Sequence, residues 1–188
     1  MASVVAVSAL GWASDATKRA LILDPFRVKE KGEIHRLLTA GWLHADLSHL
    51  AFNMFSLYMF AGPSAGVLGD LRFTILYVTA VVVAFVPTTI RRMNDRRYAS
   101  LGASGAVAAV MFSAIALDPK MQLYLMYIPV PVPGVVFALG YLAYSAWRGH
   151  VGRDNVNHGA HFTGALYGAL LTWIFEPARV ERTIHAFF

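Results

Sequence analysis

Apolar positions gather into six runs, at roughly 1–14, 37–62, 71–90, 98–117, 134–147 and 159–175, separated by short polar segments rich in Arg, Lys, Asp, Gly or Pro. A helix that crosses a bilayer needs about 20 mainly apolar residues. The second, third and fourth runs meet that length, whereas the fifth and sixth are marginal, the fifth gaining length if it borrows residues 124–132. The first run stops before Asp15, Lys18 and Arg19. It lacks the basic start and small-residue cleavage site of a signal peptide, so it is expected as a truncated first helix. Pro129, Pro131 and Pro133 remove backbone donors and fix φ, so no regular helix is expected before Gly134. The pattern predicts an all-α, polytopic transmembrane bundle of about six helices, a single domain over 1–188 with no linker dividing it.

Composition changes the picture by naming the solvent. Of 188 residues, 57% are hydrophobic and 14% charged, against roughly 25% charged in a soluble domain, so the lipid bilayer is the expected partner. The net charge of +5 comes from basic residues lying between the apolar runs. That is membrane-flank patterning, and it implies no nucleic acid. Arg91, Arg92, Arg96 and Arg97 read as a headgroup-contacting loop. Cysteine is absent, which excludes disulfides, thiolate nucleophiles and Cys-ligated metals.

Polar residues inside apolar helices cost free energy unless they find partners or water, so each is a functional candidate. His44, His49 and Asn53 fall on the second predicted helix, with His49 and Asn53 four apart and hence on one face. Gly102-Ala103-Ser104-Gly105 falls about two turns into the fourth, where flanking glycines leave the serine open to close approach. His161 opens the sixth, beside the groove that Gly164 and Gly168 create for helix packing. Successive spanning helices alternate in direction, so all three groups are expected at one depth on one side of the bilayer.

A hydroxyl and an imidazole at one depth suggest nucleophilic catalysis. His161 could take the proton of Ser104 and return it to a leaving amine, a Ser–His dyad. No carboxylate occupies the apolar part of the sixth helix, and Asp154 precedes it, so no third orienting member is evident. The Ser104 backbone N–H, the His49 imidazole and the Asn53 amide are candidate donors to an oxyanion.

The order and spacing of these groups resemble the rhomboid family of intramembrane serine proteases. The family's HisxxxxHisxxxAsn, GxSG and HisxxGxxxG motifs read here as His44–His49–Asn53, 102–105 and His161–Gly164–Gly168. The likeness runs from about Gly32 to Phe175 and includes the Arg36-Leu37-Leu38-Thr39 approach to the second helix. It implies a multi-pass protein of a bacterial inner or an organellar membrane that cleaves transmembrane-helix substrates. It further implies Ser104 and His161 as the dyad, His49 and Asn53 as oxyanion donors, His44 as a nearby water or hydrogen-bond site, and no cofactor or metal. Phe52 and the aromatics of the fifth helix would form a lateral gate. Ala108 stands where the family often places an aromatic against the catalytic His, so support for His161 must come from elsewhere. His35 replaces a common Trp, and an acidic residue common after the second helix is missing from 62–69.

Other readings fit parts of the pattern. Small residues in membrane helices commonly serve packing alone, and an intramembrane His commonly glues helices. His44 and His49, with Asp46 and His158, are metal-ligand types, but the five-residue His spacing is poor for one face. A non-catalytic rhomboid-like binder of transmembrane helices and a small His-dependent transporter are the alternative functions. Orientation divides the indications. Lys18, Arg19, Arg27, Lys29, Lys31, Arg36, Arg91, Arg92, Arg96, Arg97, Arg148 and Arg153 fall on the catalytic side, 12 of the 16 basic residues, and Arg72, Lys120, Arg179 and Arg182 on the other. The positive-inside rule then places the catalytic mouth in the cytoplasm, whereas the resemblance to bacterial members implies the opposite. Neither substrate identity nor oligomeric state is readable.

Overall fold

The computed structural model describes residues 1–124, 130–151 and 156–185; Pro129, Arg153 and Asp154 lie outside the described residues. Helix α1 (Ala2–Ala13) is followed by three short helices, α2 (Asp15–Leu21), α3 (Pro25–Lys31) and α4 (Arg36–Thr39), and a 3₁₀ turn at Ala40–Trp42. Next come α5 (Leu47–Arg92), α6 (Ser104–Leu117), a two-residue antiparallel pair of strands, β1 (Gln122–Leu123) and β2 (Val132–Pro133), then α7 (Gly134–Val151), α8 (His158–Phe175) and α9 (Pro177–His185). The result is an all-α bundle.

The second and third apolar runs form one element, α5, interrupted at Gly69, where φ 74 and ψ 162 place the backbone where a side chain would be strained. Residues near both ends of α5, His49 and Ala84, meet the 102–105 segment, so the chain reverses at that glycine. Among the described residues, α5 alone is long and apolar enough to cross a membrane by length and composition. The described part of the segment before Gly134 is not helical, in line with Pro131 and Pro133.

Two sequence expectations need correction. His44 is not on the second helix but in the extended stretch before it, because Asp46 caps α5 by accepting the His49 N–H (2.8 Å) and so starts the helix at Leu47. Ser104 is not two turns into its helix but is its first residue. Gly102 adopts φ 118, and the 98–103 segment is tied elsewhere: Ser100 exchanges backbone bonds with Leu23 (3.0 Å each way), and the Gly102 N–H donates to the Ala40 carbonyl (3.0 Å). Helix α6 therefore has 14 residues, about 21 Å at 1.5 Å per residue.

Helix α6 is the centre of the bundle, buried along nearly its whole length between α5 and α8. Its contact with α8 is backbone to backbone: a Cβ on Gly164 would collide with the Gly105 carbonyl, and one on Gly168 with the Ala109 carbonyl. Side-chain hydroxyls join the three helices, with Ser64 on α5 donating to Ser113 on α6 (2.5 Å) and Thr172 on α8 also bonded to Ser113 (2.7 Å). Such bonds satisfy hydroxyls that have no water to turn to. Tyr167 on α8 donates to Thr79 on α5 (2.8 Å).

The short helices form a clamp over one end of this bundle. Arg36, only 3% exposed, donates to the carbonyls of Arg19 and Ile22 (2.8 Å each) and to Glu33 (2.6 Å). It thereby satisfies backbone oxygens at the end of α2. The hydrogen bond from Arg36 holds the Glu33 carboxyl below its ordinary range, with the charges of Arg36, Arg27 and Lys31 adding to it.

Two predictions follow from this architecture. Gly168→Val is expected to lower stability by at least about 1–3 kcal/mol, the usual cost of overpacking, while Gly62→Ala, with nothing within 4 Å of the new carbon, leaves the unfolding midpoint in detergent unchanged or slightly raised. Because the folded Glu33 pKa is depressed, its contribution is present above the unfolded carboxylate pKa and lost as pH falls through the lower folded value. Glu33→Gln should therefore reduce thermal stability at neutral pH and converge with the parent protein in acid.

Candidate active site

The beginnings of α5, α6 and α8 converge beneath the clamp, bringing together residues far apart in sequence. The Ser104 hydroxyl lies 2.7 Å from His161 Nε2, a distance at which a proton can pass between them. The contact depends on the glycine-mediated approach of α6 to α8, since Ser104 directly precedes Gly105 and His161 lies three residues before Gly164.

The His161 ring is held by neighbours expected from the sequence in other roles. Tyr141 on α7 stacks over it (6.5 Å between centroids, 28° between planes), and His158 meets it edge-on at 5.9 Å. Tyr141 supplies the aromatic surface that Ala108 cannot, because α7 packs against both α6 and α8. Its signal in the sequence was an aromatic on the fifth helix, visible but not assignable to His161 without the packing.

Asn157 caps α8. Its Oδ1 accepts the Ala160 N–H (3.0 Å) and the Thr88 hydroxyl (2.9 Å), while its Nδ2 donates to Ser100 (3.3 Å). One amide therefore ties the His161 helix to α5 and to the loop that delivers Ser104. An Asn just before an apolar run is a recognisable cap signal, but its links to Thr88 and Ser100 are tertiary and leave no local trace.

His44 is buried and both its ring nitrogens are committed. Nε2 accepts the Ala103 N–H (3.4 Å) and Nδ1 lies 3.0 Å from Ser8 Oγ, whose own proton goes to the Trp42 carbonyl (2.9 Å). This chain of partners assigns the ring proton to Nδ1. His44 thus connects α1 to the residue before Ser104, and Trp12 of α1 adds a bond to the His44 carbonyl (2.7 Å). With both nitrogens engaged, His44 is a poor metal ligand although the His49 ring lies 4.9 Å away.

His49 packs against Gly102, where an added Cβ would fall 2.7 Å from its Cε1. A long bond from the Ala45 N–H to Nδ1 (3.5 Å) leaves Nε2 as the protonated nitrogen. Asn53, 3% exposed, gives one of the two N–H bonds of its amide to the His49 carbonyl (2.8 Å). Gly105 does not serve to expose Ser104, because the space a side chain would take is filled by Ala84 and the Ala160 carbonyl.

Ser104, His161, His49 and Asn53 all line one cavity of about 570 Å³. Phe52 on α5 and Phe137 and Tyr141 on α7 give it apolar walls, and Asp46, whose carboxylate is engaged by Ser48 and the His49 N–H, lies at it too. Among the described residues, no acid is bonded to His161.

The Rhomboid domain family profile matches residues 31–178. The chain is 32% identical over 165 residues to RHOMBOID-like protein 12, mitochondrial, of Arabidopsis thaliana, covering 79% of this chain and 47% of that protein. It is 29% identical over 134 residues to the human Presenilin-associated rhomboid-like protein, mitochondrial, covering 70% of this chain and 35% of the relative. Over 76 residues it is 37% identical to Putative rhomboid protease YdcA of Bacillus subtilis (strain 168), covering 40% of this chain and 37% of that one. The chain spans less than half the length of these relatives.

Asn157→Ala is expected to lower stability by about 0.5–2 kcal/mol, the usual cost of a lost helix cap, and Asn157→Asp, which keeps the acceptor, to recover most of it. Thermal unfolding in detergent measures both.

Proposed function

Since the chain belongs to the rhomboid family, and so to a family of membrane proteins, we propose that it is a multi-pass serine endopeptidase that hydrolyses peptide bonds in or beside transmembrane helices. The observation that carries this reading is the 2.7 Å contact between Ser104 Oγ and His161 Nε2 inside a cavity.

In this reading Ser104 Oγ attacks the scissile carbonyl as its proton passes to His161 Nε2. The C–N bond breaks as His161 returns that proton to the departing amine, leaving an ester on Ser104. Water, deprotonated by the same imidazole, then hydrolyses the ester and restores the hydroxyl. The Ser104 backbone N–H, at the first position of α6, has no intrahelical partner, and helix polarity there favours developing negative charge. His49 Nε2–H and the second N–H of Asn53 supply the remaining oxyanion donors. Tyr141 takes the orienting role for His161 that a carboxylate fills in a triad.

The length of α6 supports access for water. At about 21 Å it is shorter than a bilayer core of about 30 Å, so its serine end is surrounded by loop and cavity. Substrate helices enter between α5 and α7, where Phe52 faces the cavity from one side and Phe137 from the other.

Ser104→Ala and His161→Ala should each abolish cleavage of a model transmembrane substrate, with the unfolding midpoint retained. Ser104→Ala should also abolish labelling by a fluorophosphonate. Asn53→Ala should reduce kcat about 100–1,000-fold, as removal of an oxyanion donor does. Cleavage surviving both dyad substitutions would refute the mechanism.

A further inference from the structure

A second cavity, of about 480 Å³, lies beside the catalytic one. Ala99, Ser100, Val156 and Asn157 line both, so the Asn157–Ser100 bond forms part of the wall between them. Its chemistry is different. Arg91 and Arg92 at the end of α5, Arg97 in the following loop and Arg148 near the end of α7 all line it, and among the described residues no carboxylate does. Asp95 pairs with Arg92 at 3.6 Å. Gly159, second residue of the 18-residue helix α8, also lines it, adding the positive end of that helix.

We propose that this basic cavity binds the phosphodiester headgroup of an anionic phospholipid. Four arginines from three segments of the fold surround one space, and guanidinium groups match phosphate oxygens in geometry as well as charge. The position favours a lipid over a soluble anion: the arginines stand where α5 and α7 end, at the level at which apolar helices give way to polar loops. Ile90 and Trp147, each next in sequence to one of these arginines, are exposed apolar side chains, offering acyl chains a surface beside the headgroup. Arg96 does not line this cavity; its guanidinium lies over the Phe26 ring. The inference rests on membrane embedding but not on peptidase activity.

The test uses the full chain carrying Ser104→Ala, so that turnover plays no part. Lipid retention is followed by native mass spectrometry from a neutral detergent, titrating phosphatidylglycerol, phosphatidylcholine and inorganic phosphate separately. Phosphatidylglycerol should bind at least about tenfold more tightly than phosphatidylcholine, and Arg91→Gln with Arg148→Gln should erase that preference. The control pair Arg179→Gln with Arg182→Gln, exposed in α9 and of equal charge change, should keep it. Equal affinity for the two lipids, equal loss in both variant pairs, or displacement of the lipid by millimolar inorganic phosphate would overturn the assignment. Unfolding midpoints of the two variant pairs must match, and if they do not, Arg97→Gln alone, at an exposed loop position, gives the same discrimination. A protein that binds phosphatidylglycerol as expected yet never cleaves a substrate would refute the proposed peptidase and leave this site standing.

Discussion

The close approach of α6 and α8 is the constraint on which the rest of the structure depends. Gly164 and Gly168 let the backbone of one helix lie against the carbonyls of Gly105 and Ala109 on the other, a separation that any side chain would prevent. Without a hydrophobic driving force between helices in lipid, such contact must be held by dispersion and hydrogen bonding. The Ser64–Ser113–Thr172 cluster supplies the latter deep in the bundle. Ser104 and His161 sit at the opposite end of the same seam, and their 2.7 Å separation is set by how closely the two backbones meet.

A second layer of order comes from the polar segment between α1 and α5. Leu23, Ala40 and His44 each receive one bond from the stretch that delivers Ser104, at Ser100, Gly102 and Ala103. Lys29 on α3 reaches Asn94 (2.9 Å) on the far side of that connection. The short helices thus fix a loop that has no regular structure of its own, and Arg36 fixes the short helices.

Much of this was legible in the residues. Apolar runs located the helices of the bundle, and the spacing of His49 with Asn53 and of Gly164 with Gly168 gave the faces that meet. The alternation of helix direction predicted that the three polar groups share a level, and the structure brings Ser104, His161, His49 and Asn53 to one cavity. What failed was local. Ser104 was read inside a helix because 98–103 is apolar enough to continue one; only the bonds from distant Leu23 and Ala40, with φ 118 at Gly102, show that it does not. His44 was read onto a helix that Asp46 starts three residues later. Ser8 carried no signal, and Tyr141 showed only as an aromatic of the fifth helix, because each acts on its histidine only through packing of separate elements.

The clamp has a consequence for inhibitor chemistry. Because Ser104 opens its helix, the alignment of the proposed nucleophile is inherited from the extended stretch before it, and that stretch is anchored to Leu23, Ala40 and His44. A compound that separated Ser100 from Leu23 would misalign the Ser104 hydroxyl without touching Ser104 or His161. It would not compete with the proposed transmembrane substrate, and its selectivity would come from contacts with residues outside the motifs.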